Sequence, residues 1–140
     1  MNIDGVRNGI VLDHIRPGKS IEIYEMLGLG KLDNMVAMIQ NVNSEKYGKK
    51  DIIKIDENLD IDYDVLGYVD SNITVNIVKD CKRVKKIHME LPETLRNVVK
   101  CKNPRCITSV EQEIVHEFKL VDREKKIYRC CYCDAEHRVK

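Results

Sequence analysis

At 140 residues the chain has room for one ordinary domain or two small ones. Its 24 Lys and Arg nearly cancel 23 Asp and Glu, leaving a formal charge of +1, so no global charge draws it to nucleic acid or to an anionic membrane. No apolar run approaches the roughly 20 residues that span a bilayer, and no charged-then-apolar signal opens the sequence, so the cytoplasm is the expected compartment.

The first predicted element is Gly9-Ile-Val-Leu-Asp-His14, a β-branched, apolar run with a polar end that reads as a strand. Pro17-Gly18 breaks the chain. Ser20 is a candidate N-cap for a short helix bearing Ile21, Ile23, Tyr24, Met26 and Leu27, with Glu22 and Glu25 outward and Gly28 and Gly30 as the stop. Asn34 to Val42 is apolar on both alternations and predicts a central strand. In Lys49 to Asp56, Ile53 and Ile55 alternate with Lys50 and Lys54; two lysines on one strand face are ordinarily a solvated surface. Residues 58–70 predict a second helix capped by Asp60 or Asp62, and residues 73–78 a strand with Asn76 facing away from Ile73, Val75 and Ile77. A tight connection at Lys79-Asp80 leads to the basic run 81–89, predicted as an edge strand.

Strand, helix, strand, strand, helix, strand is the order of an α+β fold. It predicts a ferredoxin-like α/β sandwich, an antiparallel sheet with two helices, with the basic run as a fifth strand. Leu91-Pro92-Glu93 ends that unit, because Pro92 cannot join a ladder and restricts Leu91. The expected division is residues 1–91, a hinge at 92–96, and a small all-β zinc-ribbon-like domain over 97–140. Residues 97–140 carry ten basic and seven acidic side chains, hence +3, against −2 for residues 1–96. Strands are expected at 113–118 and 126–130.

That last segment holds Cys101-Lys-Asn-Pro-Arg-Cys106 and Cys130-Cys-Tyr-Cys133. Two tight thiol pairs without a secretory signal point to zinc rather than to disulfides. Cys101, Cys106, Cys130 and Cys133 are the expected ligands of one structural ion, with His137 the one alternative fourth ligand. Four thiolates leave no open position for water or substrate, and a segment this small needs the ion to fold. Cys131 reads as a spare thiol, Cys81 as a small packed residue, and His88 and His116 as surface or core-edge positions.

The segments Gly9 to Ile15, Gly48 to Ile55, Thr74-Val-Asn76 and Leu91-Pro-Glu93, followed by the paired cysteines, occur in that order over the whole chain. Together they resemble the regulatory chain of aspartate carbamoyltransferase, of pyrimidine biosynthesis. The resemblance implies a non-catalytic subunit with an N-terminal nucleotide-binding domain and a C-terminal zinc domain that docks on the catalytic chain. It implies regulatory dimers, with CTP as inhibitor, ATP as competitor and UTP acting with CTP in some members. It places base reading on Ile3, Asp4, Gly5 and Val6, ribose binding on Asp13, and phosphate contact on His14. Lys54 is implied at base and ribose, Lys50 near a second nucleotide, Asn76 and Lys86 at the triphosphate, and Val11 and Val78 as apolar walls. Clustered lysines suit a polyanion.

Two positions depart from that pattern: Cys81 stands where the best-known members have an aromatic, and Arg83 at a nearby apolar position. The run Lys79, Lys82, Arg83, Lys85 and Lys86 is denser than the pattern needs. Positive charge added there can tighten triphosphate binding without improving base discrimination. Two other functions compete. A zinc-ribbon nucleic-acid binder is disfavoured by the near-zero charge and by the few aromatics near the ribbon, Phe118, Tyr128 and Tyr132. A zinc enzyme is disfavoured by the all-thiolate site.

Overall fold

A computed structural model of the protein describes residues 7–45, 48–58 and 60–139. The chain divides into two compact units, residues 1–90 and 91–140.

The first unit runs β1 (Gly9–Ile15), α1 (Ser20–Met26), a 3₁₀ turn (Leu29–Lys31), β2 (Val36–Ser44), β3 (Gly48–Ile55), α2 (Tyr63–Val69), β4 (Thr74–Lys79) and β5 (Lys82–His88). The five strands are antiparallel in the order β2-β3-β1-β4-β5, the ferredoxin-like arrangement with one strand added at the β4 edge. Helices of seven residues are too short to persist alone. Packing holds them: Ile23 of α1 and Leu66 and Val69 of α2 close over Ile10, Leu12, Ile53, Ile55 and Val75 of the sheet. Each fully buried aliphatic side chain there contributes about 1.5–3 kcal/mol. Asp62 caps α2 by accepting the Asp64 N–H at 3.0 Å. A Cβ on Gly9 would lie 2.1 Å from the Ile55 carbonyl oxygen, so only glycine lets β1 start this close to the end of β3.

Three features differ from the sequence expectation in this unit. Ser20 is not a cap: it lies inside α1, fully buried, and donates its hydroxyl to Asp51 Oδ2 at 2.6 Å. Among the described residues β2 is an edge strand rather than a central one, with Met38 40% exposed and Met35, just before the strand, 73% exposed. Apolar residues on both alternations signal cover, and among the described residues β2 pairs only with β3 and leaves much of that surface exposed. Cys81 is exposed instead of packed, because Asp80 and Cys81 (φ 51° and 66°) form the left-handed two-residue turn that joins β4 to β5.

The second unit is β6 (Thr94–Arg96), α3 (Ile107–Val110), β7 (Glu117–Asp122), β8 (Ile127–Cys130) and β9 (Glu136–Arg138), its strands forming an antiparallel sheet in chain order. β6 falls inside the stretch expected to be a hinge; residues 94–96 pair with β7 and belong to this sheet. The strand expected at 113–118 begins only at Glu117 and runs on to Asp122. The core is Leu95, Phe118, Ile127, Tyr128 and Cys130. Tyr128, the largest of these, donates its hydroxyl to the Pro92 carbonyl, which ties the start of the unit to its centre.

Candidate functional site: a sulfur centre and an open sheet face

In the second unit, two turns present the thiols. Between Cys101 and Cys106, the Asn103 side chain accepts the Arg105 N–H at 3.1 Å, and its carbonyl accepts the Cys106 N–H at 3.1 Å. Cys130 ends β8, and its carbonyl accepts the Asp134 N–H at 2.9 Å, so the chain folds back and carries Cys133 toward it. Cys101 Sγ lies 3.6 Å from Cys133 Sγ and Cys106 Sγ 3.7 Å from Cys130 Sγ; all four sulfurs lie within 4.8 Å of one another. Sulfurs at tetrahedral corners about 2.3 Å from a zinc ion would stand about 3.8 Å apart, so the set fits one zinc ion.

The bare thiols resist ionising together, which is why four thiolates here require a cation. Burial pushes the Cys101 thiol up to about 12 and raises Cys130, with neighbouring thiols adding to both shifts. Cys106 is lowered to about 6, chiefly by the Thr108 hydroxyl 3.1 Å away, against the effect of burial. Four charged sulfurs this close need a cation to neutralise them, and zinc provides that charge. His137 is no ligand here: it lies against Phe118 with ring centroids 5.7 Å apart, and burial, then Lys102, lowers its pKa. His116 has a part the sequence did not reveal, since its Nδ1 accepts the Cys101 N–H at 3.3 Å. Cys131 is exposed and stands outside the sulfur cluster.

In the first unit, residues directly opposite in neighbouring strands share a face, so register decides which side chains meet. Val11 is opposite Lys54 on one side and Asn76 on the other, and Asn76 is opposite Lys86. Lys54, Val11, Asn76 and Lys86 therefore form one row across four strands, spanning about 14 Å. The row lies on the face away from the helices, whose apolar floor is Val11, Ile52 and Val78.

At one end of the floor Lys50, only 4% exposed, bonds Asp13 at 2.9 Å. Burial raises the Asp13 pKa, yet the Lys50 bond, the His14 N–H and the charges of His14 and Lys50 outweigh it and hold the carboxyl below its ordinary 3.8. His14 (φ 59°) sits at an irregularity of β1, with Nδ1 3.2 Å from the Thr74 hydroxyl. Asn76 donates its Nδ2 to the Val11 carbonyl at 3.4 Å. Its buried Oδ1 has no partner among the described residues. Ile3, Asp4, Gly5 and Val6 lie outside the described residues.

The sequence reading passed over Asp51, which supports this face from beneath. Its buried carboxylate accepts from the Gly18 N–H (3.0 Å), the Ser20 hydroxyl (2.6 Å) and the Asn41 N–H (3.1 Å). Asp51 thereby fastens α1 and β2 to β3, beside Lys50 in the chain. An acid following two lysines in a strand carries no pattern that marks it as buried.

Comparison with known proteins follows the same division. The family model described as aspartate carbamoyltransferase regulatory chain, allosteric domain, matches residues 1–90, and the one described as its metal binding domain matches residues 93–140. A protein of Clostridium botulinum (strain Hall) named aspartate carbamoyltransferase regulatory chain is 52% identical over 134 residues, covering 96% of this chain and 92% of that one. Proteins of the same name from Clostridium tetani and Bifidobacterium longum are 49% and 42% identical; 99% of this chain is covered in both cases, and 97% and 100% of theirs. The chain belongs to the aspartate carbamoyltransferase regulatory chain family, as a regulatory rather than a catalytic subunit with an allosteric domain and a metal-binding domain.

Proposed function

We propose that the open face of the first sheet binds nucleoside triphosphates, and that the zinc-bearing unit carries their effect to aspartate carbamoyltransferase catalytic chains. The observation that carries this reading is the row Lys54, Val11, Asn76 and Lys86, two cations flanking an apolar and an amide position on the sheet face opposite the unit's two described helices. Cations fixed on strands receive phosphate oxygens, while the floor of Val11, Ile52 and Val78 gives a ring or ribose an apolar support. The Asp13 carboxylate, kept ionised beside Lys50, is an acceptor suited to ribose hydroxyls. Residues 1–90 are thus the nucleotide-binding domain, and residues 91–140, with β6 in their sheet, the zinc domain that contacts the catalytic chain. CTP is the expected inhibitor and ATP its competitor, in the cytoplasm, with UTP acting beside CTP as in some members of the family.

Regulation requires that nucleotide prefer one of two states of the assembly, and the coupling is reciprocal: substrate analogues on the catalytic chain must change nucleotide affinity by the same factor. Such couplings amount to about 1–3 kcal/mol. Zinc takes no chemical step in this; its closed thiolate shell fixes the two loops of the docking surface. A regulatory dimer is supported by the outer edge of β2, unpaired among the described residues, with Met38 on the strand and Met35 just before it exposed, a strand ready to meet a second copy.

The test mixes this chain with the catalytic chain and follows activity against aspartate with each triphosphate, alongside calorimetry of the chain alone. CTP and ATP should compete for one site and shift the aspartate response. Lys54→Ala or Lys86→Ala should weaken nucleotide binding about tenfold without preventing assembly. Unchanged affinity in both variants would remove the row from the site.

A further inference from the structure

The pairing of β4 with β5 is irregular at one point, and that point changes which cation stands on the open face of the sheet. From Asn76↔Lys86 and Ile77↔Lys85 the register jumps to Val78↔Arg83, leaving Val84 as the extra residue of a bulge. Strict alternation back from Lys86 would place Val84 and Lys82 on the open face. The bulge instead brings Arg83 opposite Val78, which is fully buried in the floor with Val11 and Ile52. Val84 is 57% exposed. Arg83 is exposed, and among the described residues no carboxylate pairs with it or with Lys86. Lys85, across from Ile77, is on the helix-covered side.

We infer that Arg83 is a specificity-determining residue of the nucleotide site, clamping the polyphosphate together with Lys86. This rests on the function proposed above and deepens it. A guanidinium gives two parallel N–H donors to a phosphate, which an ammonium cannot, and it remains charged at any physiological pH. With Arg83 in the row next to Lys86, the chain holds a fork and a point charge side by side at the end of the floor away from Asp13. Affinity then depends steeply on the number of phosphates and little on which base is attached. The ligand class is a nucleoside triphosphate, distinguished from its monophosphate by Arg83.

The experiment is calorimetry on the zinc-loaded full chain with CTP, CMP and inorganic triphosphate, comparing the wild type with Arg83→Met and Lys85→Met. Both substitutions remove one charge from the same strand, and they differ in the face affected. Arg83→Met should weaken CTP and inorganic triphosphate by roughly tenfold and CMP by less than about twofold, while Lys85→Met leaves all three within about twofold. Equal losses in the two variants would mean net charge acts rather than position, and would overturn the inference. So would Arg83→Met binding CTP as the wild type does. A wild-type chain that binds no triphosphate would instead refute the proposed function, so the two failures are distinguishable. Circular dichroism on each variant keeps a folding defect from passing as a binding defect.

Discussion

Replacing Asp51 by alanine removes the acceptor for three donors at once: the Gly18 N–H, the Ser20 hydroxyl and the Asn41 N–H. A hydrogen bond to a charged group contributes about 1.5–3 kcal/mol, so a naive sum would reach about 9 kcal/mol at the upper end. The three donors are not equivalent, however. Gly18 and Asn41 are exposed, so water can take over their N–H groups, whereas Ser20 is fully buried and its hydroxyl is stranded. The expected loss is therefore nearer about 3 kcal/mol, which in a unit of this size is roughly 10–20 °C in Tm. Asp51→Asn keeps the volume and one oxygen but turns an NH2 toward a donor, for a loss of about half that. The assay is thermal unfolding of Asp51→Ala, Ser20→Ala and the double variant. In the double variant the stranded hydroxyl is gone, so its loss should fall short of the two single losses added together by about 1 kcal/mol or more. Strictly additive losses, or a Tm drop under about 3 °C for Asp51→Ala, would refute this account of the site's support.

Cys130→Ser or Cys133→Ser should unfold residues 97–140, abolishing assembly with catalytic chain while nucleotide affinity stays nearly intact; normal assembly of such a variant would disprove the structural role of the ion. The Asp13–Lys50 pair sets a pH dependence. Because the folded Asp13 pKa is depressed, its stabilisation is fully present above the unfolded value near 3.8 and is lost as pH falls through the folded value. The stability gap between wild type and Asp13→Asn, measured in urea, should be flat from pH 7 to about 5 and close below about 4; a gap unchanged at pH 3 would contradict the pairing.

Much of this was legible in the sequence. The helix at Tyr63–Val69 carried its own cap in Asp62, and the thiol spacing announced the centre that the sulfur distances bear out. What stayed hidden depended on contacts distant in the chain. Ser20 looked like a cap because Ser before an apolar run has that form, and only its closeness to Asp51, 31 residues on, assigns the hydroxyl elsewhere. β2 looked central because apolar content records that cover is needed, not which chain supplies it. Cys81 looked packed because cysteine is usually buried, but a two-residue turn exposes whatever occupies it. The bulge at Val84 left no trace in composition, and without the register Arg83 would be assigned to the wrong face.

The sulfur centre also means that part of this protein's stability is set by its surroundings. Each tenfold rise in free zinc above the dissociation constant adds about 1.4 kcal/mol to whichever fold requires the ion. Since thiols must shed protons to bind, acidification opposes the same equilibrium. Residues 91–140 thus respond to metal supply and proton activity together, while the sheet of residues 1–90, with no such cluster among its described residues, owes its cohesion to aliphatic packing.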